Sequence, residues 1–94
     1  MKVYVSGKIS GLPYEAVEMK FAMACYYISL NDNTPVNPLN NGIKPERPWL
    51  LHMVVDIAML LRCDAICMLP DWRDSRGARL ERRVAKILRI PVFE

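Results

Sequence analysis

The sequence predicts an α/β domain: a four-stranded parallel sheet in the order 2-1-3-4, covered by about three helices. Three observations carry this expectation. Short β-branched or apolar runs at residues 2–5, 34–37, 64–69 and 90–93 alternate with longer helix-compatible stretches at 14–30, 48–62 and about 76–88. Every pair of consecutive strands is thus joined through a helix, and right-handed crossovers of that kind give a parallel sheet with helices on both faces. At 94 residues, 52% hydrophobic and 24% charged, the chain has enough apolar surface for one core and too little length for two. Residues 1–94 are expected to form one domain.

Lys2 to Val5 (KVYV) reads as the first strand and runs into a turn at Ser6-Gly7. Pro13 suits a first helical position, and Tyr14 to Leu30 follows without a breaker. The cluster Asn31-Asp32-Asn33 closes that helix, Thr34 to Asn37 forms the second strand, and Pro38 stops it. Asn40 to Arg47 is a polar loop before the helix Pro48 to Arg62. The apolar run Asp64 to Leu69 ends at Pro70, the third helix spans about Arg76 to Leu88, and Ile90 to Phe93 is the last strand. This is a small flavodoxin-like or Rossmann-like three-layer arrangement, in which ligands sit beyond the carboxyl ends of the strands near a topological switch point. Ser6 to Gly11, Asn37 to Leu39 and Pro70 to Gly77 all converge there.

Composition excludes several function classes. No stretch approaches the roughly 18 uncharged apolar residues of a membrane span, so the expected location is the cytoplasm. Cys25, Cys63 and Cys67 match no zinc spacing and stand beside one histidine, so they read as reduced thiols rather than a metal site. The net charge of +3 is concentrated in the last quarter, at Arg73, Arg76, Arg79, Arg82, Arg83, Lys86 and Arg89. That face meets an anion or is simply solvated, but the apolar residues interleaved with it argue against nucleic acid as the partner. The first two helices are apolar around nearly their whole circumference, more than a chain this small can bury. A homo-oligomer packed through Met19, Met23, Tyr26, Tyr27, Val55 and Met59 is expected.

The last helix is the most informative segment. On a helical wheel Arg79, Arg82, Arg83, Lys86 and Arg89 share one arc, while Ala78, Leu80, Val84, Ala85, Ile87 and Leu88 share the other. Glu81 falls inside the apolar arc, where a carboxylate loses hydration unless it meets a cation, a donor or an open cleft. Either an arginine pairs with it at the core edge, or it faces the ligand from the second helical turn. Asp74 or Ser75 is positioned to cap this helix, and Gly77 lets a ligand approach the backbone. The loop Ser6-Gly7-Lys8-Ile9-Ser10-Gly11 has the position of a phosphate loop without the glycine spacing of one, and so reads equally as a tight turn or an anion site. Asp56 lies one turn after His52, either as a surface pair or as a site residue.

Taken together, Ser6-Gly7-Lys8-Ile9-Ser10-Gly11, Val36-Asn37-Pro38, Trp49 with Asp56-Ile57, Cys63-Asp64-Ala65, Pro70-x-Trp72 and Ser75-x-Gly77-Ala78-x-x-Glu81 resemble the DUF4406 family over essentially the whole chain. Through fewer residues, that family is similar to the nucleoside 2-deoxyribosyltransferases and the deoxynucleoside 5′-monophosphate N-glycosidases. The resemblance implies a glutamate nucleophile at Glu81, an aspartate contacting sugar or base at Asp56, and a 5′-phosphate held at Ser75 and Gly77. It also implies ligand binding by the loop Gly7, Lys8, Ile9, Ser10 and Gly11, although an arginine is usual where this chain has Ser10. The partner implied is a small-molecule nucleoside or nucleotide. The chemistry implied needs no metal and no other cofactor, because the carboxylate itself stabilises and then traps the oxocarbenium-like sugar. A non-catalytic nucleotide- or phosphate-binding module of the same fold is the alternative.

Overall fold

The computed structural model describes residues 1–94, with the elements β1 (Lys2–Ser6), α1 (Tyr14–Leu30), β2 (Thr34–Val36), α2 (Trp49–Leu61), β3 (Ala65–Met68), α3 (Arg76–Ile87) and β4 (Val92–Phe93). Short 3₁₀ turns at Pro38–Asn40 and Trp72–Asp74 follow β2 and β3. The four strands form one sheet in the order β2-β1-β3-β4, every pair parallel. The helix in each crossover makes this possible, because parallel neighbours require a long return connection.

Strand periodicity divides the core. Successive side chains of a strand point to opposite faces, so Val5 packs with Val17 and Phe21 of α1 and with Leu69. Tyr4, Ile66 and Met68 pack on the other side with Leu60 of α2 and with Ala78 and Ala85 of α3. Thus α1 covers one face of the sheet, and α2 and α3 cover the other. Residues alternate along β1 between the two, which places Ser6 on the side of Tyr4.

Several boundaries differ from the sequence reading, each for a local reason. β1 extends to Ser6, which pairs with Met68 in the ladder and is buried, so the turn begins only at Gly7. β2 ends at Val36 because the Asn37 side chain caps the 3₁₀ turn, accepting the Leu39 N–H at 3.0 Å. β4 is two residues rather than four, since Ile90 belongs to the end of α3. There the Ile90 N–H donates to the Ala85 carbonyl at 2.8 Å, and Arg89 adopts φ 60°, the left-handed geometry of a helix C-terminal cap.

Ile87 and Leu88 were expected in the buried arc of α3, yet they are 71% and 52% exposed. The helix buries only Ala78, Glu81 and Ala85. Ile87 stands six residues from Glu81, roughly 120° away around the axis, and Leu88 is the C-cap residue. Cys63 is buried, whereas Cys25 and Cys67 are half-buried; all three are free thiols, and burial raises the pKa of each. No helix is long and apolar enough to cross a membrane.

Candidate active site

A cleft of about 480 Å³ opens at the carboxyl ends of β1, β2 and β3, beside the point where the chain passes from one face of the sheet to the other. It gathers eight of the nine sequence-nominated residues: Glu81, Asp56, Gly7, Lys8, Ile9, Ser10, Ser75 and Gly77 line it. Gly11 does not. With φ 82° and open space around it, Gly11 serves the turn into α1.

Glu81 is 5% exposed and accepts hydrogen bonds from both hydroxyls on its side of β1. The Tyr4 hydroxyl donates to Oε2 at 2.5 Å, and the Ser6 hydroxyl donates to Oε1 at 2.7 Å. Two periodicities produce this contact. Tyr4 and Ser6 are two apart on a strand and share a face, while Ala78, Glu81 and Ala85 share one stripe of α3. The small alanines let α3 lie close to the sheet, so a glutamate between them reaches the strand's hydroxyls.

An arginine partner for Glu81, one of the two expectations, is not what holds it. The two ion pairs in the molecule are Lys20–Asp71 and Arg82–Glu94. Burial raises the Glu81 pKa and the nearby Asp56 charge adds to this, while the Ser6 and Tyr4 bonds oppose it, and the carboxyl is pushed up to about 7. The Tyr4 phenol is raised by its own burial and then by the Glu81 charge.

Asp56 is likewise no surface residue. It is 6% exposed, and burial raises its pKa against the opposing effects of Asn41 and His52. Its Oδ1 accepts from Asn41 Nδ2 at 2.8 Å. His52 contacts Asn41 rather than Asp56, through Nδ1 at 3.2 Å, and its Nε2 lies 3.0 Å from the Lys44 carbonyl. In place of a direct His52–Asp56 surface pair, one of the two readings of Asp56, the structure has a triad with Asn41 at its centre.

The β1–α1 loop is clamped. Lys8 N–H donates to Asp71 Oδ1 at 3.0 Å, and Lys20 Nζ reaches both the Lys8 carbonyl and Asp71 Oδ2 at 2.6 Å. Burial would raise the Asp71 pKa, but these bonds bring it below the usual carboxylate value. The amide that an anion would seek at Lys8 is already spent on a carboxylate. At the opposite wall, Ser75 rather than Asp74 caps α3, its hydroxyl oxygen accepting from Ala78 N–H at 3.1 Å. Arg76 stacks over the Trp49 ring at 3.8 Å, and both line the cleft. Gly77 packs closely against α2: a Cβ there would stand 3.0 Å from Met53 Sδ, so the methionine side chain would have to shift.

Sequence reasoning did not nominate Tyr4 or Asn41 for the site, and it placed Ser6 there only as the start of the loop, not as a partner of Glu81. Tyr4 and Ser6 carried a usable signal, because the alternation in Lys2–Ser6 places two hydroxyls on one face. Asn41 sits in a polar loop and carried none.

The chain matches the family described as "Domain of unknown function (DUF4406)" over residues 1–94. No curated protein matches it. Among solved structures it is similar to a 2-desoxiribosyltransferase from Leishmania mexicana, with a TM-score of 0.73 and 19% sequence identity. That likeness covers 97% of this chain and 61% of the other, so the chain spans a little under two thirds of the transferase's length. At this identity the likeness shows a shared fold.

Proposed function

The chain belongs to the DUF4406 family, and from that starting point we propose that it cleaves or transfers the N-glycosidic bond of a 2′-deoxynucleoside or its monophosphate, with Glu81 as nucleophile. The observation that carries this reading is a buried glutamate with no cationic partner, held by two hydroxyls and facing a cleft it shares with Asp56. The resemblance to a deoxyribosyltransferase fold supports it.

In the reaction a Glu81 carboxylate oxygen attacks C1′ of the sugar. The C1′–N bond breaks, and the base departs with the bonding pair and takes a proton from solvent or a cleft acid. A glycosyl ester remains. Water or a second base then attacks C1′, the ester C–O bond breaks, and the carboxylate is regenerated. Asp56 binds a sugar hydroxyl or the base edge through the oxygen that Asn41 leaves free. A 5′-phosphate held near Ser75 and Gly77 supplies remote binding energy that aligns the sugar.

The test is incubation with each deoxynucleoside and deoxynucleoside monophosphate, with chromatography for free base and Glu81→Ala as control. Base release abolished by the substitution is expected, and absence of release from every compound would sink the enzyme reading. A second reading, a nucleotide-binding module without turnover, is favoured by the engagement of both Glu81 oxygens with the Tyr4 and Ser6 hydroxyls. Equal thermal stabilisation of wild type and Glu81→Gln by nucleotides, without base release, would select it.

For the assembled state, the proposal is a homo-oligomer through the first two helices. Met19, Met23, Tyr26 and Tyr27 are exposed, as that requires. On α2 the residues differ from the expected ones: Val55 and Met59 are half-buried, Met59 packs against the core, and the exposed large apolar residues are Leu50, Leu51, Val54 and Leu61. A monomeric sedimentation coefficient at micromolar concentration would remove this proposal.

A further inference from the structure

We propose that Asn41 is a positioning residue: it straps the 41–47 loop onto α2 and aims the Asp56 carboxylate into the cleft. The inference rests on the role proposed above for Asp56.

The Asn41 side chain is hydrogen-bonded to capacity. A side-chain amide has two N–H donors and one acceptor oxygen, and all are engaged here. Asn41 Nδ2 lies 2.8 Å from Asp56 Oδ1 and 3.2 Å from His52 Nδ1, while its Oδ1 accepts the Ile43 N–H at 2.9 Å. The amide orientation and histidine tautomer follow from the partners. A carboxylate oxygen and the Lys44 carbonyl are acceptors, so Nδ2 must face Asp56 and the proton of His52 must sit on Nε2. That leaves His52 Nδ1 as an acceptor for the second Nδ2 proton. Turning the amide over would set its oxygen against the Asp56 carboxylate.

The strap forms part of the cleft wall, because Ile43, Pro45 and Arg47 line the cleft with Asn41. Three side-chain hydrogen bonds, from Asn41 to Asp56, from Asn41 to His52 and from His52 to Lys44, join the loop to α2. Asp56 Oδ1 is committed to this strap. No buried side-chain oxygen is left without a partner, so Oδ2, which makes no hydrogen bond within the protein, retains access to solvent in the cleft. Besides Asn41, the groups that bear electrostatically on Asp56 are His52 on its own helix, Glu81 from α3 and Tyr4 from β1.

The test uses the full chain and two substitutions. Asn41→Ala removes the whole bridge. Asn41→Asp keeps the acceptor for Ile43 N–H but removes the donors. Amide exchange at Ile43, a ¹³C titration of the Asp56 carboxyl, and kcat/KM with deoxynucleoside monophosphates are measured on each.

In Asn41→Ala, Ile43 is expected to lose protection and the Asp56 midpoint to rise by about one pH unit. In Asn41→Asp, Ile43 stays protected while the midpoint rises further, because a carboxylate now faces Asp56. In both, kcat/KM falls on the order of tenfold to a hundredfold. An Asp56 midpoint unmoved in both variants, or Ile43 exchange unchanged in Asn41→Ala, overturns the inference. A loop that only served stability would lower the melting temperature without moving that midpoint. If the wild type releases no base yet the midpoint and exchange respond as described, the strap stands and the glycosidic reading falls.

Discussion

Replacing Tyr4 with phenylalanine removes one hydroxyl from Glu81 and little else, because the ring remains fully buried in its place. The lost contact is a 2.5 Å hydrogen bond to Oε2. Hydrogen bonds to charged groups contribute about 1.5–3 kcal/mol, and one pKa unit corresponds to about 1.36 kcal/mol, so the Glu81 midpoint should rise by about 1–2 units. The starting value is about 7, which puts the variant near 8 to 9. The assay is a ¹³C titration of the Glu81 carboxyl, which requires no turnover. Where turnover is found, the nucleophile must be ionised, so activity climbs with pH through the Glu81 midpoint and the variant's rising limb moves to alkaline pH. The folded-state pKa lies above the ordinary value of 4.5. Protonated Glu81 therefore stabilises the fold, fully below about pH 4.5, and the contribution disappears as pH rises through about 7. In Tyr4→Phe that loss is delayed to the higher midpoint. A midpoint that stays put, or falls, would refute the account of Glu81 as a buried carboxyl whose ionised form the strand hydroxyls favour against burial.

Two further outcomes concern the fold around the cleft. Gly7→Ala should destabilise the protein by about 1–3 kcal/mol in urea denaturation, because the added Cβ would stand 2.7 Å from Leu69 Cδ1 and 2.8 Å from its Cβ, in the core beneath the β1–α1 loop. Arg89→Gly should raise stability by about 0.5–1 kcal/mol in the same assay, since φ 60° is costly for an arginine and free for glycine.

The sheet order and the position of the cleft were legible because each depends on a pattern of several residues: strands alternating with helices, and three loops converging on one sheet edge. Glu81 was legible because a carboxylate breaks an apolar stripe. What it touches was not, since that depends on which face of β1 receives α3, and a five-residue strand with Val3, Tyr4 and Val5 in series shows no polar face to a reader who ends it before Ser6. The same limit hid Asn41, whose role exists only once a polar loop folds back onto α2. It also misplaced Ile87 and Leu88, because a wheel divides a helix into halves whereas the buried face of α3 is only as wide as Ala78, Glu81 and Ala85.

The narrowness of that face explains how a carboxylate is tolerated there. A wide apolar face would surround Glu81 with hydrocarbon and drive it to the neutral form with no donor in reach. Two alanines instead bring the helix close to the sheet, and the twofold period of β1 supplies a hydroxyl to each carboxylate oxygen at the height where the 3.6-residue period of α3 delivers the glutamate. Burial outweighs the hydrogen bonds, and the carboxyl is pushed up to about 7. The acid is thus specified by the meeting of two periods, and a change to either, a larger residue at Ala78 or Ala85 or a lost hydroxyl at Tyr4 or Ser6, should act on its ionisation before it acts on the fold.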